Sequence, residues 1–104
     1  MGKEKYTKCS NREMIPNTYQ GFRSKPWKQG YRKPEAWWKN EGTSNEEYII
    51  VEYFPERKDW TVWHYPSGDI LTTEKEKFMG VHHAKQAANE ANEGISREYR
   101  VWWG

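Results

Sequence analysis

A chain of 104 residues has room for one domain, which at this size buries roughly two thirds of the surface exposed by the unfolded form, and it is too short for two separate cores. An apolar share of 35%, a charged share of 31% and a mean hydropathy of -1.25 approach the values of disordered chains. Seven Trp, seven Tyr and three Phe reverse that reading, because each ring buries enough area to offset the ordering entropy of several residues. Cys9 is the single cysteine, which excludes an internal disulfide, and no apolar run reads as a signal peptide or membrane span. A small, soluble, cytoplasmic protein with no membrane contact is the expectation.

The net charge of +2 hides an uneven distribution. Residues 1–40 hold ten Lys and Arg against Glu4, Glu13 and Glu35, a net of +7, whereas residues 41–104 hold seven basic residues against twelve acidic ones, a net of −5. Such a split points to a basic arm that meets nucleic acid or an acidic protein surface, or to two halves that neutralise each other within one fold.

In chain order, residues 1–46 read as a basic, aromatic, loop-rich segment, since Pro16, Gly21, Pro26, Gly30 and Pro34 interrupt every candidate element. Pro34 suits the first position of a short helix through Glu35, Ala36, Trp37, Trp38 and Lys39, ended by Gly42, and Glu41 to Asn45 reads as a polar joint. Residues 47–104 form the expected sheet-plus-helix core of the same single domain. Tyr48 to Phe54, aromatic and β-branched and stopped by Pro55, is a strand with both faces apolar. Trp60 to Tyr65 is a second, with Trp60, Val62 and His64 on one face and Thr61, Trp63 and Tyr65 on the other. Pro66, Ser67, Gly68 and Asp69 make a turn into a short returning strand, Ile70 to Thr73.

Glu74 to Gly80 reads as a charged connection, after which Val81, Ala84, Ala88, Ala91 and Ile95 recur at helical spacing, with Gly94 standing where a helix would stop. Tyr99 to Trp103 reads as a last strand. The fold class is therefore α+β: an antiparallel three- to four-stranded sheet with one helix packed on a face, preceded by the loop-rich aromatic segment.

Over residues 47–94, a Trp-Val strand, a Gly turn, Phe78 and an Ala-rich helix give an order that resembles the three-strand-plus-helix DNA-binding modules of plant ethylene-response factors and some phage integrases. Those modules read DNA through Arg-rich strand faces, and the strands here offer Glu52, Thr61 and His64, so the resemblance is one of topology and no residue is carried over. In its charge split and aromatic content the chain is also similar in style to the accessory proteins with which bacteriophages bind host machinery.

No local motif for catalysis is present: there is no Gly-x-Ser-x-Gly elbow and no Gly-x-x-x-x-Gly-Lys-Ser/Thr loop, and Gly2, Gly21 and Gly30 stand apart. Cys9, flanked by Lys5, Lys8 and Arg12, reads as an incidental surface thiol. His82 and His83 are adjacent, a quarter-turn apart on a helix, so they lack the one-turn stacking of a metal pair, and His64 has no carboxylate at matching local spacing. The expectation is a non-enzymatic protein with no metal and no cofactor.

What remains is Tyr19 to Lys39, where rings alternate with cations. Arg23, Lys25, Lys28, Arg32 and Lys33 suit phosphates, and Trp27, Tyr31 and Trp38 suit stacking on unpaired bases, so single-stranded nucleic acid is the natural ligand of that composition. The competing reading packs the same rings onto the sheet, with the Lys and Arg stems along its edge. A third reading takes Trp63, Tyr65 and Trp102 as an uncovered sheet face that binds and modulates a host protein assembly.

Overall fold

The computed structural model describes residues 5–9 and 34–94. The strands are β1 (Thr7–Lys8), β2 (Glu35–Lys39), β3 (Glu47–Phe54), β4 (Asp59–Tyr65) and β5 (Ile70–Glu74), and they precede one helix, α1 (Lys77–Asn92). They form one antiparallel sheet in the order β1-β2-β3-β4-β5, so that every strand lies beside its neighbour in the chain. The α+β class and the helix on one face are as read from the sequence. The sheet has five strands among the described residues, rather than three or four, because β1 and β2 come from the segment read as loop-rich, β2 where a short helix is expected. The expected strand Tyr99 to Trp103 lies outside the described residues.

β3 forms because Tyr48, Ile49, Ile50 and Val51 are each buried: the pleat sends Ile49 and Val51 toward the helix and Tyr48 and Ile50 to the opposite face. On the helix side Trp37, Trp60, Val62 and Leu71 join them, and Tyr6 closes that layer. On the far side Cys9, Ala36 and Trp63 complete a second buried cluster. Cys9 is thus a core residue, 3% exposed with its amide donating to the Ala36 carbonyl at 2.9 Å, and not a surface thiol.

The helix expected over Glu35 to Lys39 is a strand. Five residues are too few for local pattern to separate helix from strand, and pairing decides it: Glu35 to Lys39 align with Val51 to Glu47 and divide the two indoles, Trp37 into the helix-side cluster and Trp38 against the other. The polar joint does form the connection, with Asn40 and Gly42 both at positive φ (53° and 80°), where glycine meets no steric penalty.

Helix α1 begins at Lys77, a full turn before the expected start. Gly80, read as a boundary, lies inside it and is buried against the sheet: a Cβ there would stand 3.0 Å from Val51 Cγ1. Its missing side chain lets the helix settle close, and Ala84, Ala87 and Ala88 continue that shallow face over the strand aromatics. The far end of α1 is tied down by a reciprocal amide pair, Tyr6 N–H to Asn92 Oδ1 at 2.6 Å and Asn92 Nδ2–H to the Tyr6 carbonyl at 2.8 Å. No helix among the described residues is long and apolar enough to cross a membrane.

Ala88 is fully buried in the helix-side cluster, so Ala88→Leu adds three carbons where the layers already touch. The expected outcome is a loss of about 1–3 kcal/mol in denaturant-induced unfolding with the slope unchanged.

Candidate functional site

Arg23, Lys25, Trp27, Lys28, Tyr31, Arg32 and Lys33 lie outside the described residues, as does Trp102. Trp38 lies on β2, half-buried, with its ring edge-on to Tyr48 at a centroid distance of 5.8 Å. Trp63 is only 2% exposed and its indole N–H donates to the buried Glu52 carboxylate at 3.0 Å. An indole so enclosed touches no partner without rearrangement, a correction to the reading of Trp63 as presented. Tyr65 beside it is half-buried and packs edge-on to both Tyr48 and Trp63.

The chemistry that the structure does assemble lies at one end of the sheet, on the helix side, where the β4–β5 turn meets the last turn of α1. A cavity of about 290 Å³ opens there. Its floor is Ile49, Leu71, Ala91 and the Tyr6 ring, and its rim is Lys39, Glu47, His64, Ser67 and Asp69. A mainly apolar hollow with a few convergent polar groups is the usual form of a small-ligand site.

Its centre is His64. Nε2 lies 2.9 Å from Glu47 Oε1 and Nδ1 lies 2.6 Å from Ser67 Oγ. Because an ionised carboxylate only accepts, the neutral ring carries its proton on Nε2 toward Glu47, and Nδ1 then accepts the Ser67 hydroxyl. Glu47 is held in turn by the Tyr6 hydroxyl at 3.2 Å and by Lys39 Nζ, 3.5 Å from Oε2, while the same ammonium lies 5.0 Å from the Tyr6 ring centre. His64, which has no carboxylate at matching local spacing, thus finds one on the neighbouring strand. Its partner is seventeen residues away in the chain but diagonal to it across the β3–β4 pair, where Ile49 stands opposite His64. A register drawn back from the four-residue connection between the strands would have found it.

A hydroxyl, an imidazole and a carboxylate in series can pass a proton. Here the chain also pins the turn: Gly68 N–H donates to the His64 carbonyl at 2.6 Å, and Asp69 N–H to Ser67 Oγ at 3.2 Å. Both backbone donors that follow Ser67 are thus committed inside the turn instead of being aimed at a point where an oxyanion would develop. The arrangement suits holding a ligand better than attacking one.

Elsewhere, His83 Nε2 meets Glu74 Oε2 at 3.2 Å, and no group of three His, Cys, Asp or Glu among the described residues is placed to hold a metal ion. Glu35 collects Lys8 at 2.6 Å and Lys77 at 3.2 Å.

Burial alone would raise the Glu47 pKa, but the hydrogen bond from His64, the nearby Lys39 and His64 charges and the Tyr6 hydroxyl outweigh it and hold the carboxyl below its ordinary value. A depressed carboxyl contributes stability that is present above its unfolded pKa and is lost as pH falls through the folded one. Glu47→Gln should therefore unfold at lower denaturant than the parent at pH 7, and the gap should close when the same melts are run below the usual carboxylate range. A gap that stays constant across that window would remove Glu47 from the network.

Against known proteins, no family matches this chain, and neither a curated relative nor a solved structure does, so the geometry alone speaks for the site.

Proposed function

We propose that the protein is a non-enzymatic binding protein that associates with nucleic acid through the basic aromatic stretch Tyr19 to Lys39, with the sheet and helix as its platform. The observation that carries this reading is how charge is divided. Within the described fold, Lys8 and Lys77 share Glu35, Lys39 meets Glu47 and Arg57 meets Asp59, so the platform has cations of its own for these acids. The sequence adds Arg12, Arg23, Lys25, Lys28, Arg32 and Lys33 over residues 10–33 against Glu13 alone. A run of that sign, interleaved with Trp27 and Tyr31, has the composition of a groove for single strands, where cations follow the phosphates and rings stack on bases. The protein-partner reading loses support with Trp63 enclosed.

Changing Arg23, Lys25, Lys28, Arg32 and Lys33 together to Gln should weaken oligonucleotide binding and flatten the log-log salt dependence by about 0.7 per lost phosphate contact on single strands. The melting temperature should hardly move, because solvated charges contribute little to folding. A variant that instead loses stability, most of all at low salt, would show the cations neutralising the acidic half of the fold. Absence of binding by the parent to single- or double-stranded DNA or RNA at low salt would end the reading.

A further inference from the structure

The cavity beside His64 has a sign. Both Glu47 oxygens are engaged, by His64 and Tyr6 on one and Lys39 on the other, whereas Asp69 on the rim has no ion pair among the described residues. Lys39 is matched by Glu47, so the Asp69 carboxylate adds a further negative charge to the rim. The last turn of α1, which supplies Ala91 to the floor, carries no basic side chain and so adds no cation of its own to that side. The floor itself, Ile49, Leu71 and Ala91, offers nothing but hydrocarbon.

We propose that this cavity binds a small amine: an ammonium group on a hydrocarbon or aromatic body. The body rests on Ile49, Leu71 and Ala91, where it displaces water from apolar surface, and the ammonium meets the Asp69 carboxylate at the rim. An anion of the same shape would bring its charge to Asp69 and be repelled, and a neutral analogue would forgo the charged contact. The volume, about 290 Å³, lies at the lower bound of ligand cavities and admits a single ring with a short side chain. The proposal stands apart from the nucleic-acid reading, since of the stretch Tyr19 to Lys39 only Lys39 is among the described residues that line the cavity.

Phenethylamine and phenylacetate are matched in shape and opposite in charge, and each can be titrated into the full-length protein while amide resonances are followed by NMR. Phenethylamine should bind saturably with a Kd of about 1 mM or tighter, moving the Leu71 and Ala91 amides, and phenylacetate should bind at least about tenfold more weakly. Asp69→Asn removes a charge that no described contact uses, so its melting temperature should match the parent while phenethylamine affinity drops about tenfold. Three results would overturn the proposal: no movement of those amides up to about 10 mM amine, equal binding of the acid, or an affinity that Asp69→Asn leaves unchanged.

Discussion

Seven consecutive cross-strand pairs, from Tyr48 opposite Tyr65 to Phe54 opposite Asp59, join β3 to β4, and the rest of the fold is conditional on that register. In most sheets with one wet face, a one-residue slip is prevented because it would turn the apolar set outward. Here both faces of β3 are apolar, so hydrophobicity alone discriminates weakly between registers. A buried polar pair supplies what it lacks: Glu52 on β3, fully buried, accepts the indole N–H of Trp63 on β4. A slip would leave a buried carboxylate without its donor, a far larger penalty than the exchange of one apolar neighbour for another.

From that register the two layers follow. Ile49, Val51, Trp60 and Val62 form the bed for α1, and the helix meets them with glycine and alanine, so that large side chains on the sheet fill the space that small ones leave. At the outer strand a bulge adjusts the fit. Val62 pairs with Thr72 and Trp63 with Ile70, which leaves Leu71 as an extra residue that turns into the helix-side core, while Ile70 stays 46% exposed. The same irregularity brings Leu71 to the floor of the cavity and sets the Ser67 to Asp69 turn at its rim. The cavity is thus a product of how the hairpin ends, beside the last turn of the helix.

Charge is organised around the same frame. Lys8 and Lys77 come from opposite ends of the chain to Glu35, and both lie over tryptophan rings, Trp37 and Trp60, so each ammonium serves a carboxylate and an aromatic face at once. Burial opposes ionisation of Glu35, and the two lysines overcome it, holding its pKa below the ordinary value. The carboxylates of the platform are in this way active in the fold, not a passive acidic surface. The basic, aromatic stretch proposed to meet nucleic acid and the cavity proposed to take an amine are separable features of the chain.

What the sequence determined by itself was whatever rests on local period and turn chemistry. The aromatic and β-branched run before Pro55, the alternation from Trp60 to Tyr65, the Pro-Ser-Gly-Asp turn and the alanine spacing of the helix each encode their element within a few residues, and the structure has all four. Tertiary structure decided what depends on partners distant in the chain. Glu35 to Lys39 is a strand because β3 offers it a pairing edge, Gly80 is helical because Val51 comes close, and Cys9 is buried because β2 carries its neighbour Ala36 into the second cluster. The candidate site follows the same rule: Tyr6, Lys39, Glu47, His64 and Ser67 belong to four strands or their ends and a turn, and no spacing along the chain records that register brings their side chains to one hollow.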